Sequence, residues 1–253
     1  MSVPERYLAP LKPGKSYHIY NRTNNKERLF RQDADRFFFI QQYEEYLSPF
    51  LKTYAFNLLD NHFHFVVSVR SQVEIIAYLN TLDIKLLTQK EMYLLNNPEE
   101  DLWINHFIEW EFLRLFTSYA LTFNFKYDRK GNLFHRPFKR VEIEDNIQFS
   151  QAIFYVHANA VKHRIIDKLE NYKWSSFNIC MSDEPTFIER DFVLEWFGGK
   201  EMFQECHREQ NILYQQYPFQ IEYEANLLRK KNTLRLAKVN SQRRHARISK
   251  KFY

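Results

Sequence analysis

Cysteine is nearly missing from this chain: two residues, Cys180 and Cys206, in 253. They stand apart with no CxxC neighbour, which argues against a disulfide framework or a cysteine zinc site and predicts two ordinary reduced thiols. Long apolar runs are missing as well. The longest fall far short of the ~20 residues that a spanning helix needs, so no bilayer-spanning helix and no membrane partner are expected. The N-terminus lacks the uninterrupted apolar stretch of a secretory signal, because Pro4, Glu5, Arg6 and Pro10 interrupt it. The expected location is the cytoplasm. Acid is absent from the last segment: from Ala225 onward there are ten basic residues and no Asp or Glu. The first 224 residues therefore hold 26 basic and 31 acidic groups, a net of −5, although the whole chain carries +5. Such a tail is a handle for a polyanion, since each phosphate it neutralises releases condensed counterions. A merely solvated tail has the same composition.

What is present suits a folded α/β protein: 45% hydrophobic and 17% aromatic residues, with no internal repeat or low-complexity segment. Ser16 to Arg22 places aromatic and β-branched residues at a two-residue period, which predicts a strand. A helix is expected from Ala34 to Leu47, capped by Asp33, with Phe37, Phe38, Ile40 and Tyr43 in its apolar face and Ser48-Pro49 as its stop. Tyr54 to Val69 has strand character with a turn near Asp60-Asn61. Residues 72–112 hold eight acidic groups against Lys85 and Lys90, with Leu, Ile and Tyr at helical spacing, and predict an acidic helical insertion poorly suited to lie along DNA. Helical periodicity continues to Phe123, and Asp128 to Asn132 makes a turn before a strand from Leu133 to Ile143. In that strand Arg136, Lys139 and Arg140 interleave with Phe134 and Phe138, a pattern shared by strands that bind single-stranded nucleic acid and by half-buried amphipathic strands. Asp145 or Asn146 can cap a helix to about His163, with Ile147, Ile153, Val156, Ala160 and Val161 as its stripe. Residues 186–224 read as polar, aromatic and helical.

Two constellations can carry chemistry. In Asn61-His62-Phe63-His64-Phe65-Val66-Val67, strand alternation projects His62 and His64 to one face, where two imidazoles can share a divalent ion. With nine histidines in the chain the same spacing also arises by chance. On the following helix, Tyr155 and Asn159 are one turn apart and address the same region. A tyrosine can attack phosphorus when a cation assists it. It can equally be one of sixteen tyrosines buried for packing.

In order along the chain, Tyr17-His-Ile-Tyr-Asn-Arg, Asn61-His-Phe-His-Phe-Val-Val, Gly131-Asn-Leu-Phe-His-Arg-Pro-Phe-Lys, Tyr155-Val-His-Ala-Asn-Ala-Val-Lys and Tyr172-Lys-Trp-Ser-Ser-Phe resemble the single-tyrosine HUH transposase superfamily, in particular its REP-associated tyrosine transposase branch. The resemblance spans about residues 14–178. It implies an α/β (α+β) fold, a ferredoxin-like core with a central antiparallel sheet flanked by helices. It also implies a domain over residues 1–185 that contains the insertion, followed by a C-terminal extension over 186–253. It further implies Tyr155 as nucleophile, and His62, His64 and Asn159 as ligands of Mg²⁺ or Mn²⁺. The usual Asn-Pro is here Asn159-Ala160, and His135 replaces a frequent Gln, so Ala160 and His135 take no role from it. The expected substrate is single-stranded or hairpin DNA, cut and rejoined through a 5′-phosphotyrosine by a monomer or homodimer without a nucleotide cofactor. Candidate DNA-binding residues are Arg22, Arg136, Lys139, Arg140 and Lys162, with Arg229, Lys230, Lys231, Arg243 and Arg244 in the tail. Two other readings stay open: a domesticated, non-cleaving binder of structured DNA or RNA, and a metal phosphodiesterase that uses water.

Overall fold

The two-residue period of Ser16–Arg22 does form a strand, β1, with Tyr17, Ile19 and Asn21 buried on one face. The computed structural model describes residue 4, residues 7–97 and residues 101–216. Helix α1 (Asp33–Tyr46) leads to β2 (Leu51–Leu59), and the expected turn at Asp60-Asn61 leads to β3 (His62–Val69). After α2 (Gln72–Leu79), α3 (Gln89–Asn96) and α4 (Asp101–Lys126) comes β4 (Lys139–Ile143).

The sheet order is β2-β3-β1-β4, and every neighbouring pair is antiparallel. It follows that β1 and β2 run parallel on either side of β3, and that β3 and β4 run parallel on either side of β1. Two interlocked β-α-β units of this kind make the ferredoxin-like arrangement that was expected. One sheet face is covered by α1 and α4. There Phe63 packs against Phe39 and Phe116 at ring separations of 5.1 and 5.9 Å, and Tyr43 stacks on Phe65 at 4.2 Å. Removing each such ring from water contributes roughly 1.5–3 kcal/mol. The opposite face receives α5 (Asn146–His157) and α6 (Asn159–Lys162).

Several local expectations need correction. Asp33 is the first residue of α1, not its cap; Asp35 reaches back to accept the backbone N–H groups of Arg31 and Gln32. Phe39 and Tyr43 face the core, whereas Phe37 is exposed, because the sheet meets a narrower stripe of α1 than the run of apolar residues suggests. The strand expected from Leu133 begins only at Lys139. Pro137 lacks an N–H for a ladder, and Phe134 makes a single bridge to Thr23. Ile147 is exposed, and the helix around Tyr155 breaks at Ala158. Between residues 72 and 112 the described residues are mainly helical, but residue 112 falls inside α4, whose buried residues, among those described, run from Ile104 to Phe123. Beyond residue 185, α8 (Arg190–Trp196), which follows the short α7 (Ser176–Cys180), is helical, and Ile188 bridges to Thr53 of β2. Packing divides the chain into Met1–Gln204 and Glu205–Tyr253, a boundary inside α9 (Lys200–Gln216). The second unit is described as helix to Gln216; the remainder of the expected 186–224 helical section and the basic tail lie outside the described residues. Among the described residues, no helix is long and apolar enough to cross a membrane.

Candidate active site

Strand register brings the histidines together. Tyr20 of β1 pairs with His64 of β3 on one side and with Lys139 of β4 on the other. Arg22 pairs with His62, and Asn57 of β2 pairs with His64. His18, Tyr20, His62 and His64 therefore share the face that α5 covers. The rings of His62 and His64 are 5.2 Å apart, and His64 is buried.

The helix that faces them is fixed at both ends. Asp145 caps α5 by accepting the N–H of Gln148 at 2.8 Å. At the other end the Asn57 amide donates to the carbonyls of Val156 at 2.9 Å and His157 at 3.3 Å, so β2 itself satisfies the terminal carbonyls of α5. The Tyr172–Phe177 segment explains its part of the sequence pattern in the same region. Tyr172 donates to the Leu58 carbonyl, Leu58 donates to the Trp174 carbonyl, and Ser176 Oγ joins the Phe56 N–H to His157 Nε2. That segment lies along β2 and holds the tyrosine-bearing helix against the sheet.

In this setting the Tyr155 ring sits 5.5 Å from the His18 ring and 5.7 Å from the His64 ring, edge-on to both. The Lys162 ammonium lies 4.9 Å over the Tyr155 ring. Asn159 follows at the start of α6, fully buried, and neither its amide oxygen nor its amide nitrogen makes a formed hydrogen bond. It still lies close enough to His62 to favour the protonated ring slightly. Burial dominates and, with nearby His163, brings the His62 pKa down to about 4. Burial, followed by the neighbouring His18, holds His64 well below the ordinary histidine range. Both rings are thus neutral at neutral pH, the form that can donate a lone pair to a cation.

The donor set is small. Among the described residues no group of three His, Cys, Asp or Glu side chains is placed to hold an ion. The chain offers two imidazoles and the Asn159 amide, and the unpaired, buried state of that amide fits a group with a ligand still to bind. Water and phosphate oxygens would complete the coordination of a hard divalent ion.

The expected DNA-binding residues separate by position. Arg22 and Arg136 are exposed, and Lys139 is half-buried with its ammonium 5.0 Å over Tyr7 and 5.6 Å over Tyr20. Arg140 needs correcting: it is buried, donates to the Ala9 carbonyl at 2.6 Å and pairs with Glu109, so its charge is used inside the fold. Arg229, Lys230, Lys231, Arg243 and Arg244 lie outside the described residues. Sequence reasoning gave no site role to His18, Tyr20, Asn57 or His163, whose ring is 5.0 Å from His62. For His18 and Tyr20 the signal was their alternation in β1; what it lacked was the register that sets them beside His64.

No protein-family model matches the chain, and no curated protein matches it. Among solved structures it is similar to a REP-associated tyrosine transposase bound to a REP hairpin, with a TM-score of 0.46, 15% identity, and coverage of 73% of this chain and 89% of that one.

Proposed function

We propose that this protein is a single-tyrosine nuclease that cuts and rejoins single-stranded or hairpin DNA through a covalent 5′-phosphotyrosine. The observation that carries the reading is the convergence of Tyr155 with His64 and His18 across the sheet–helix interface, with the unpaired Asn159 amide one turn further on. Tyr155 is only half-buried, and a tyrosine kept for packing alone does not call for a neutral His64, a second imidazole and an unsatisfied amide beside it.

In the proposed reaction the Tyr155 phenol gives up its proton to solvent and its oxygen bonds to phosphorus, while the bond from phosphorus to the 3′ oxygen breaks and that oxygen takes up a proton from solvent to leave as a 3′-hydroxyl. The phosphotyrosine keeps the ester bond, so a second 3′-hydroxyl can reverse the attack and join strands without a nucleotide cofactor. A divalent ion held by His62, His64 and Asn159, Mg²⁺ or Mn²⁺, would supply Lewis-acid stabilisation of charge on the scissile phosphate. Lys162 adds positive charge beside the phenol, where phosphate oxygens must approach. Arg22 and Arg136 are exposed and able to meet the DNA backbone. An unpaired strand is the substrate that can bend to bring one phosphate against a helix-borne phenol.

The test uses the full chain, Mn²⁺ and hairpin DNA labelled at its 3′ end. A labelled DNA–protein adduct that survives denaturant is expected. Cleavage without an adduct would assign the nucleophile to water, and hairpin binding without cleavage would make the protein a non-cleaving binder.

A further inference from the structure

We propose that His18 is a positioning residue for His64: its Nε2 accepts the Nδ1–H of His64 and fixes the ring so that Nε2 of His64 keeps its lone pair for the divalent ion. The inference deepens the metal reading above and rests on it.

The two nitrogens are 2.9 Å apart, within hydrogen-bond distance, and the two rings are stacked at 5.1 Å between centroids. One of the pair must donate and the other accept. His62 shows which direction the site requires. Its Nδ1 is 2.6 Å from the Asn61 side-chain oxygen, which can only accept, so Nδ1 of His62 carries the proton and Nε2 holds the lone pair. For His64 the partner is another imidazole, and either direction is chemically open. Only donation from His64 to His18 leaves both histidines of the pair with Nε2 as the electron donor. The reverse direction would put a proton on the one ring nitrogen of His64 that His18 does not occupy. The position of His18 is itself over-determined: it pairs in register with Val66 and Val141, stacks on Tyr20 at 4.9 Å and meets Tyr155 edge-on. A ligating histidine held through its second nitrogen is the usual way a metal site fixes tautomer and orientation.

The experiment compares the full-length wild type with His18→Phe, which keeps a ring but has no acceptor, and His18→Gln, which returns an acceptor near the position of Nε2. Two quantities are read: the tautomer of the His64 ring from its ¹⁵N chemical shifts in metal-free protein, and Mn²⁺ affinity by calorimetry. The expected result is a His64 ring protonated at Nδ1 in the wild type, a mixed or reversed tautomer in His18→Phe with Mn²⁺ binding weakened about 10- to 100-fold, and recovery of both in His18→Gln. A wild-type His64 protonated at Nε2, or a His18→Phe variant with unchanged tautomer and affinity, would overturn the proposal. The metal reading fails separately, if wild type binds no Mn²⁺ or if His64→Ala binds it as well as wild type; the tautomer measurement needs no metal and keeps the two failures apart.

Discussion

Asn57 and Asn159 are both fully buried and both face the helix pair that carries Tyr155, yet their substitutions should behave differently. Asn57 closes the end of α5 through two carbonyls, so Asn57→Ala strands those groups and should cost about 1–3 kcal/mol in denaturant unfolding. Asn159 makes no formed hydrogen bond, so Asn159→Ala should lose little more than packing, within about 1 kcal/mol of wild type, while weakening Mn²⁺ binding. A large stability loss at Asn159 would show that its amide is structural. His62→Ala and His64→Ala should each abolish cleavage with a native circular dichroism spectrum retained, and wild-type cleavage by either under limiting metal would remove that histidine from the essential ligands. The pair was legible because alternation in a strand puts positions 62 and 64 on one face. The burial of Arg140 was not: a basic residue among aromatics has one pattern whether it meets phosphate or, as here, Glu109 and a backbone carbonyl.

The helices between β3 and β4 carry a buried carboxyl of their own. Glu111 on α4 is fully buried, accepts both of its hydrogen bonds from Arg114 at 3.1 Å and has Glu91, Lys90 and Tyr78 as charged or titratable neighbours. Burial raises its pKa from 4.5 to about 7, with Glu91 adding to the rise and Arg114 opposing it. Between those two pH values the folded protein holds a proton that the unfolded chain has released, so this group makes stability fall as pH climbs from about 4.5 to about 7. Glu111→Gln should therefore match wild type near pH 4 and exceed it by roughly 3 kcal/mol at pH 8, as read from urea midpoints. An equal difference at both pH values would contradict the assignment. Among the elements, β1 and the turn between β2 and β3 were readable because alternation and Asp-Asn chemistry are local. The start of β4 and the stripe of α1 were less so, since they depend on which partner strand and which layer each segment meets. The capping residue of α1 was misread for a related reason: Asp33 suits a helix start, but backbone geometry makes Gln32 the N-cap and puts Asp33 and Asp35 inside the first turn.

Across the whole molecule, charge is divided: the first 224 residues are net negative and the segment from Ala225 is entirely basic among its charged residues. Deleting residues 225–253 removes ten positive charges and should both weaken hairpin binding and flatten its dependence on salt, by about 0.7 in logarithmic slope for each single-strand phosphate that the tail neutralises. An unchanged slope would assign DNA binding to the sheet domain alone. The strand order was legible only through resemblance, because alternation specifies faces but not neighbours, and the site depends on β1 and β3 lying side by side at the centre of the sheet.

Tyr155 as the nucleophile is tested most directly by peptide mapping of the DNA adduct by mass spectrometry in wild type and Tyr155→Phe. The substitution removes one oxygen and leaves the ring between His18, His64 and Lys162, so a missing adduct is not explained by a cavity. The expected result is an adduct on Tyr155 bearing a 5′ phosphate, a released 3′-hydroxyl, and neither product from Tyr155→Phe, which still binds the hairpin. An adduct on another residue, or cleavage by Tyr155→Phe at the wild-type rate, would contradict it.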